Sequence, residues 1–183
     1  FEVPTNSDRE PSVLCFDGLA SIAEVWLNGE CILSADNMFR SYRVDVTEKL
    51  RAENQLAIVF RSLAADLKKR RPRPRWKTNL VNNQQLRWLR TSLLGRIPGW
   101  SPPAPAVGPW RAVRLEHAPV LLSNVQRTAT LEGNTGIIAF RARLDASVPI
   151  KSARLQVGTQ EALLTCDGEV VHGQLSLENP TLW

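Results

Sequence analysis

Residues 22–60, IAEVWLNGECILSADNMFRSYRVDVTEKLRAENQLAIVF, decide the fold. The run Ile22-Ala23-Glu24-Val25-Trp26-Leu27 favours a strand, and Asn28-Gly29 separates it from Glu30-Cys31-Ile32-Leu33. Two strand-prone runs around Asn-Gly predict a hairpin, because both central residues of a type I′ turn need positive φ. In residues 41–46, Tyr42, Val44 and Val46 fall on one face and Ser41, Arg43 and Asp45 on the other, the period of a half-buried strand. A charged segment, 47–54, leads to another strand at 55–60. Four strands with tight connections in so short a span predict an antiparallel β-sandwich.

On the N-terminal side, Asn6-Ser7-Asp8 breaks the chain, Ser12-Val13-Leu14-Cys15-Phe16 reads as a strand, and Asp17-Gly18 as its exit. On the C-terminal side the sandwich pattern lapses across 62–96. Residues 64–70 favour a helix that Pro72 and Pro74 would stop. Residues 82–94 (NNQQLRWLRTSLL) predict a second helix, with Leu86, Leu89, Leu93 and Leu94 on its apolar side, Asn82 or Asn83 as cap and Gly95 as terminator. In Gly108-Pro109-Trp110-Arg111-Ala112-Val113-Arg114-Leu115 the alternation returns, with Trp110 expected in the core. From Pro119 onward, strands are predicted at 121–128, 137–144, 151–157, 162–165 and 170–177, a spacing that suggests an immunoglobulin-like sandwich. Such a module takes roughly 100 residues, more than remain, so it is expected to be incomplete.

Composition narrows the function classes. At 183 residues and 43% hydrophobic content, the chain suits one large or two small globular domains. No apolar run approaches the ~20 residues of a membrane helix, and no leader is visible. The abrupt ends, Phe1-Glu2-Val3-Pro4 and Asn179-Pro180-Thr181-Leu182-Trp183, suggest a fragment, with the cytoplasm favoured as its location. Cys15, Cys31 and Cys166 are expected as buried free thiols. His117 and His172 lie far apart in sequence, so no metal or other cofactor is expected. Of the 23 Lys and Arg residues ten fall within 66–96, against one acid, Asp66, so the basicity belongs to one segment. The run KKRRPRPRWK admits a nucleic-acid or acidic-protein binder working through Lys68 to Lys77, with Trp76 and Trp88 as stacking partners.

Several phrases fit one family. VWLNG at Val25 to Gly29, DNMFRSY at Asp36 to Tyr42, DVT at Asp45 to Thr47 and NQLAIVF at Asn54 to Phe60 resemble the N-terminal jelly-roll domain of family 2 glycoside hydrolases, most closely their β-mannosidase branch. Phe16, Gly18, Leu19, Ala23, Val25, Leu27, Asn28 and Gly29 fit the family phrase running into the hairpin. Gly108 to Leu115 resembles its closing strand, and Asn179, Pro180, Leu182 and Trp183 its N-P-x-L-W. The resemblance implies a galactose-binding-like jelly roll at 1–118 and a partial immunoglobulin-like sandwich at 119–183.

It also implies a site. Where the branch carries G-W-D-W-G-P, this chain has Gly99-Trp100-Ser101-Pro102-Pro103, so Ser101 stands for the aspartate and Pro102 for the second tryptophan. Tryptophan stacks on sugar faces, whereas serine is a weaker, uncharged substitute for a carboxylate that accepts hydroxyl protons. The implied carbohydrate-binding residues are Trp100 and Ser101, then Asn37 and Arg40. Retaining hydrolysis needs two carboxyl groups about 5–5.5 Å apart, which the family places on a catalytic barrel this sequence does not contain. Glu24, Glu48, Glu53, Glu161 and Glu169 offer no substitute. The expectation is a non-catalytic part of a β-mannosidase-like glycosidase, with a β-linked glycoside and the catalytic barrel as partners. The alternative is a freestanding carbohydrate-binding module with Trp100 and Trp76 lining a groove.

Overall fold

The computed structural model describes residues 1–3, 10–72 and 75–181. These group into two compact units, one holding residues 1–3 and 12–116, the other residues 10–11 and 117–181. The expected break at Asn6-Ser7-Asp8, the helix stop at Pro74 and the terminal Leu182-Trp183 lie outside the described residues.

The first unit starts with β1 (Ser12–Phe16) and the short β2 (Leu19–Ala20), then the hairpin of β3 (Ala23–Leu27) and β4 (Glu30–Ala35). Asn28 and Gly29 take φ of 52° and 87°, as the Asn-Gly turn requires. The Asn28 side chain then locks the tip from both sides. It donates to the Lys49 carbonyl (3.1 Å) and Asn54 Oδ1 (3.0 Å) and accepts from the Gln55 N–H (3.0 Å). Between Val25 and Trp26 the β3–β4 register shifts, a bulge that bends the strand pair. Next come β5 (Tyr42–Asp45) and β6 (Leu56–Phe60).

Beyond an irregular segment, β7 (Gly108–Pro109) pairs with β2, and β8 (Val113–His117) joins β1. Two three-stranded sheets result, ordered β5-β1-β8 and β4-β3-β6. Leu14, Phe16 and Val46 on one side, with Ala23, Val25 and Leu27 on the other, form a core exposed by 2% or less. Val113 and Leu115 pack on it, as the alternation predicts. This is an all-β jelly-roll sandwich.

Both predicted helices shrink. The first is the single turn α1 (Leu63–Asp66). Four consecutive cations follow at 68–71, whose repulsion disfavours a continued helix, and the Arg71 side chain folds back onto Asp66 at 2.5 Å. The second is a five-residue 3-10 turn, Gln84–Trp88, capped as expected by Asn83, whose side chain accepts from the Gln85 N–H. Leu89 is already extended. Arg90 is engaged instead by a parallel bridge to Asn37, its carbonyl accepting from the Met38 N–H at 2.8 Å. Leu93 and Leu94 stay 38% and 63% exposed, so no packed face supports a longer helix.

In the second unit β9 (Val120–Glu132), β10 (Thr135–Ala146), β11 (Ala153–Val157), β12 (Gln160–Asp167) and β13 (Val170–Glu178) make one sheet, ordered β11-β12-β13-β10-β9. All five expected strands are present, the third shorter and the other four longer than predicted. Its small core is Ala142, Leu144 and Val171, consistent with a partial sandwich.

Two further expectations fail. Cys15 is buried, but Cys31 and Cys166 are exposed, because Cys31 lies just past the hairpin turn opposite the exposed Trp26 and Cys166 near the end of β12, beside the turn into β13. Trp110 is 39% exposed rather than in the core. Among the described residues, no helix is long and apolar enough to cross a membrane, and no cluster of three His, Cys, Asp or Glu could hold a metal.

Candidate functional site

The NMFR segment is held against the chain around Arg90 by contacts that start from Met38. Its N–H bonds the Arg90 carbonyl, its carbonyl accepts from Trp110 Nε1 at 2.7 Å, and its sulfur accepts from the Ser92 N–H at 3.3 Å. Ser21 donates to Thr91 Oγ1 at 2.5 Å beneath it. Met38 is therefore a buried peg, 6% exposed. The Trp110 indole lies edge-on to Phe39 with centroids 6.2 Å apart, and covers Gly18 so closely that a Cβ there would overlap it. This explains why the sequence needs Gly18, and why Trp110 sits at the sandwich edge.

Asn37 uses its side-chain oxygen on the Phe39 N–H at 3.0 Å, an Asx turn. Its amide N–H groups remain the donors it could offer a ligand. Arg40 is exposed, its guanidinium 5.4 Å from the centre of the Tyr42 ring.

Trp100 and Ser101 lie on a separate loop that begins at Gly95. Gly95 has φ of 74°, and a Cβ there would overlap the Ala104 backbone, so the loop doubles back tightly upon it. Ser101 Oγ accepts from the Gly95 N–H at 2.8 Å. Its hydroxyl thus closes the loop, and the tryptophan before it stands 82% exposed. On the same loop, Arg96 has its guanidinium pulled below its ordinary value by burial alone. The structure pairs Asn37 with Arg90, and Ser101 with Gly95 six residues away. Among the described residues, no hydrogen bond or ion pair joins Trp100 or Ser101 to Asn37 or Arg40.

Sequence reasoning missed Arg90, Thr91 and Ser92, the seat of Met38, because a leucine periodicity placed them in a helix. It also missed Gln84, which accepts from the Thr78 N–H and donates to the Thr78 and Val81 carbonyls at 2.7 and 3.1 Å. No pattern in the sequence reveals a side chain that organises a loop. The glutamates considered as acids are spent or scattered. Glu24 pairs with Arg61, Glu161 with Arg154 and Glu169 with Arg143.

The jelly-roll sandwich defines a class of domain, and comparison with known proteins agrees with that fold. Residues 1–111 match the glycosyl hydrolase 2 galactose-binding domain-like family, and the chain belongs to it. It is similar to Beta-mannosidase B of Thermothelomyces thermophilus, 28% identical over 201 residues that cover 100% of this chain and 23% of that protein. Beta-mannosidase B of Aspergillus niger is 32% identical over 186 residues, covering 93% of this chain and 22% of the relative. The chain therefore spans less than a quarter of the length of these relatives. Among solved structures, a beta-D-mannosidase from Dictyoglomus thermophilum shares the fold with a TM-score of 0.72 at 22% identity, over 100% of this chain and 24% of that one. A Bifidobacterium dentium beta-glucuronidase does so with a TM-score of 0.59 at 16% identity, over 100% of this chain and 33% of that one.

Proposed function

We propose that this chain is the non-catalytic N-terminal part of a β-mannosidase-like family 2 glycoside hydrolase, buttressing a catalytic barrel and lending one wall to its carbohydrate pocket. In this reading residues 1–118 are the sugar-binding-like domain and 119–183 part of an immunoglobulin-like sandwich. Trp100 is the stacking surface, Ser101 fixes its loop, and Asn37 and Arg40 supply donors. The catalytic glutamates belong to the barrel, and the chain alone hydrolyses nothing. The observation that carries the reading is Trp100, 82% exposed on a loop closed by Ser101 at the position of the family's G-W-D-W-G-P. Serine for aspartate leaves this wall without its carboxylate, so affinity rests on stacking and on the Asn37 and Arg40 donors.

The test is calorimetric titration of the chain and its Trp100→Ala variant with mannose, galactose, glucuronate and short β-mannans. Binding that disappears in the variant supports the wall. Binding of mannose, galactose or β-mannans untouched by Trp100→Ala overturns it. No binding by the intact chain rules out the freestanding module and leaves any pocket role to a longer protein with its barrel.

A further inference from the structure

The irregular segment between β6 and β7 holds a concavity that the Trp100 loop does not use. Arg75, Trp76, Lys77, Asn83, Gln85 and Trp88 are among the residues lining a cleft of about 650 Å³, within the range of ~300–1,000 Å³ typical of ligand pockets. A neighbouring hollow of about 450 Å³ shares Pro72 and Gln85 with it and adds Arg70. The wall is built by internal bonds. Gln84 ties together the Thr78 and Val81 backbone. Arg87 donates to the Gln84 carbonyl (2.8 Å) and the Trp76 carbonyl (3.0 Å), with its guanidinium 4.2 Å from the centre of the Trp76 ring. Trp76 and Trp88 still expose 61% and 47% of their surface.

The charge in this segment is unbalanced. Asp66, its only acid, is taken by Lys69 and Arg71, both at 2.5 Å. Among the described residues, no ion pair engages Arg70, Arg75, Lys77 or Arg87. Open aromatic faces, unneutralised cations and the carboxamides of Asn83 and Gln85 together suit a ligand bearing both carboxylates and hydroxyls.

We propose that this cleft binds an anionic saccharide, a uronic-acid oligosaccharide whose ring lies on Trp88 and whose carboxylates meet Arg75 and Lys77. Single-stranded nucleic acid also uses aromatic faces beside cations, but its binders track about 4–16 nucleotides along a groove. A compact cleft with carboxamides in its wall favours one or two sugar rings. None of the cleft's lining residues belongs to the Trp100 loop, so either site can fail alone.

The test is calorimetry on the 183-residue chain with a mannuronate tetramer, the neutral mannotetraose and an oligothymidylate, each at low and physiological salt. The mannuronate tetramer is expected to bind roughly ten-fold tighter than mannotetraose, and Trp88→Ala and Lys77→Gln each to weaken it by about ten-fold. Trp88→Phe, which keeps a ring, should recover most of the loss. Unchanged thermal transitions in these surface variants separate a lost contact from a lost fold. Equal affinity for the two tetramers, or binding of neither, overturns the proposal. So does tetramer binding abolished by Trp100→Ala but not by Trp88→Ala, an outcome that leaves the Trp100 wall standing. Tighter binding of oligothymidylate with a steep salt dependence would make the cleft a nucleic-acid site instead.

Discussion

The sandwich frame and the segment inserted between β6 and β7 use their large side chains in opposite ways. In the frame, the residues that carry the family phrase are removed from water. Phe16, Leu19, Ala23, Val25 and Leu27 are exposed by 1% or less. In the insertion, Trp76, Trp88 and Trp100 expose 61%, 47% and 82%. Burying a large apolar side chain contributes about 1.5–3 kcal/mol, so the frame's sequence is constrained by stability. The insertion's exposed tryptophans gain less from burial, so truncating them should cost little stability. The residues that identify the family are therefore constrained by packing, and those proposed to touch a ligand are not.

Core truncation should break this contrast if it is wrong. Phe16→Ala is expected to cost about 3–5 kcal/mol, through lost transfer energy and a cavity between the sheets. Trp100→Ala should stay within about 0.5 kcal/mol of wild type. Urea unfolding followed by circular dichroism reads both. Comparable losses would mean that Trp100 packs in solution and is no ligand surface.

The same contrast explains what was legible in the sequence. Strand alternation and the Asn28-Gly29 turn are local signals, and the hairpin and the buried faces of its strands followed from them. The site depends on specific pairings, Met38 with Arg90 far along the chain and Ser101 with Gly95 within one loop, that no periodicity encodes. Leu86, Leu89, Leu93 and Leu94 mimic a helical stripe, yet a backbone bond from Met38 outcompetes the helix at Arg90. The cysteines show the same limit. Apolar neighbours predicted burial for all three, while Cys31 and Cys166, each within two residues of a turn, stay exposed. A thiol reagent should accordingly label two groups quickly and Cys15 only on unfolding.

Where frame meets insertion, Gly18 gives the next largest effect. A Cβ there would collide with the Trp110 indole and disturb its bond to the Met38 carbonyl. Gly18→Ala should cost about 1–3 kcal/mol, the usual range for overpacking. In a Trp110→Ala background the same substitution should be nearly neutral, because the two effects share one contact. Additive losses in that double-mutant cycle would mean that Gly18 matters for its backbone instead.

At the hairpin tip, Asn28 combines a positive φ with three side-chain hydrogen bonds. Asn28→Ala loses both, and about 1–2 kcal/mol is expected from the bonds alone. Asn28→Gly keeps the φ at no steric cost, so the difference between the two variants in thermal unfolding measures the backbone part.

Acid sharpens the comparison with the smallest effects, because each region holds carboxylates pulled below their ordinary range, Glu24 and Glu116 in the frame and Asp66 in the insertion. In the frame, Glu116 is lowered chiefly by its bond from Arg43, and in the insertion Asp66 is lowered by Lys69 and then Arg71. A carboxylate whose folded pKa lies below its unfolded value leaves the unfolded chain binding more protons. Its contribution to stability is then present above roughly pH 4 and is lost as pH falls through the folded value. Glu116→Gln should therefore flatten the acid limb of global unfolding, since the Arg43 pair bridges β5 and β8. Asp66→Asn should leave that limb in place. Its pair joins residues five apart within the insertion, so it should instead shift the acid transition of Trp76 and Trp88 fluorescence. Equal changes in global unfolding from both variants would mean that frame and insertion melt as one unit, and that the insertion is part of the scaffold after all.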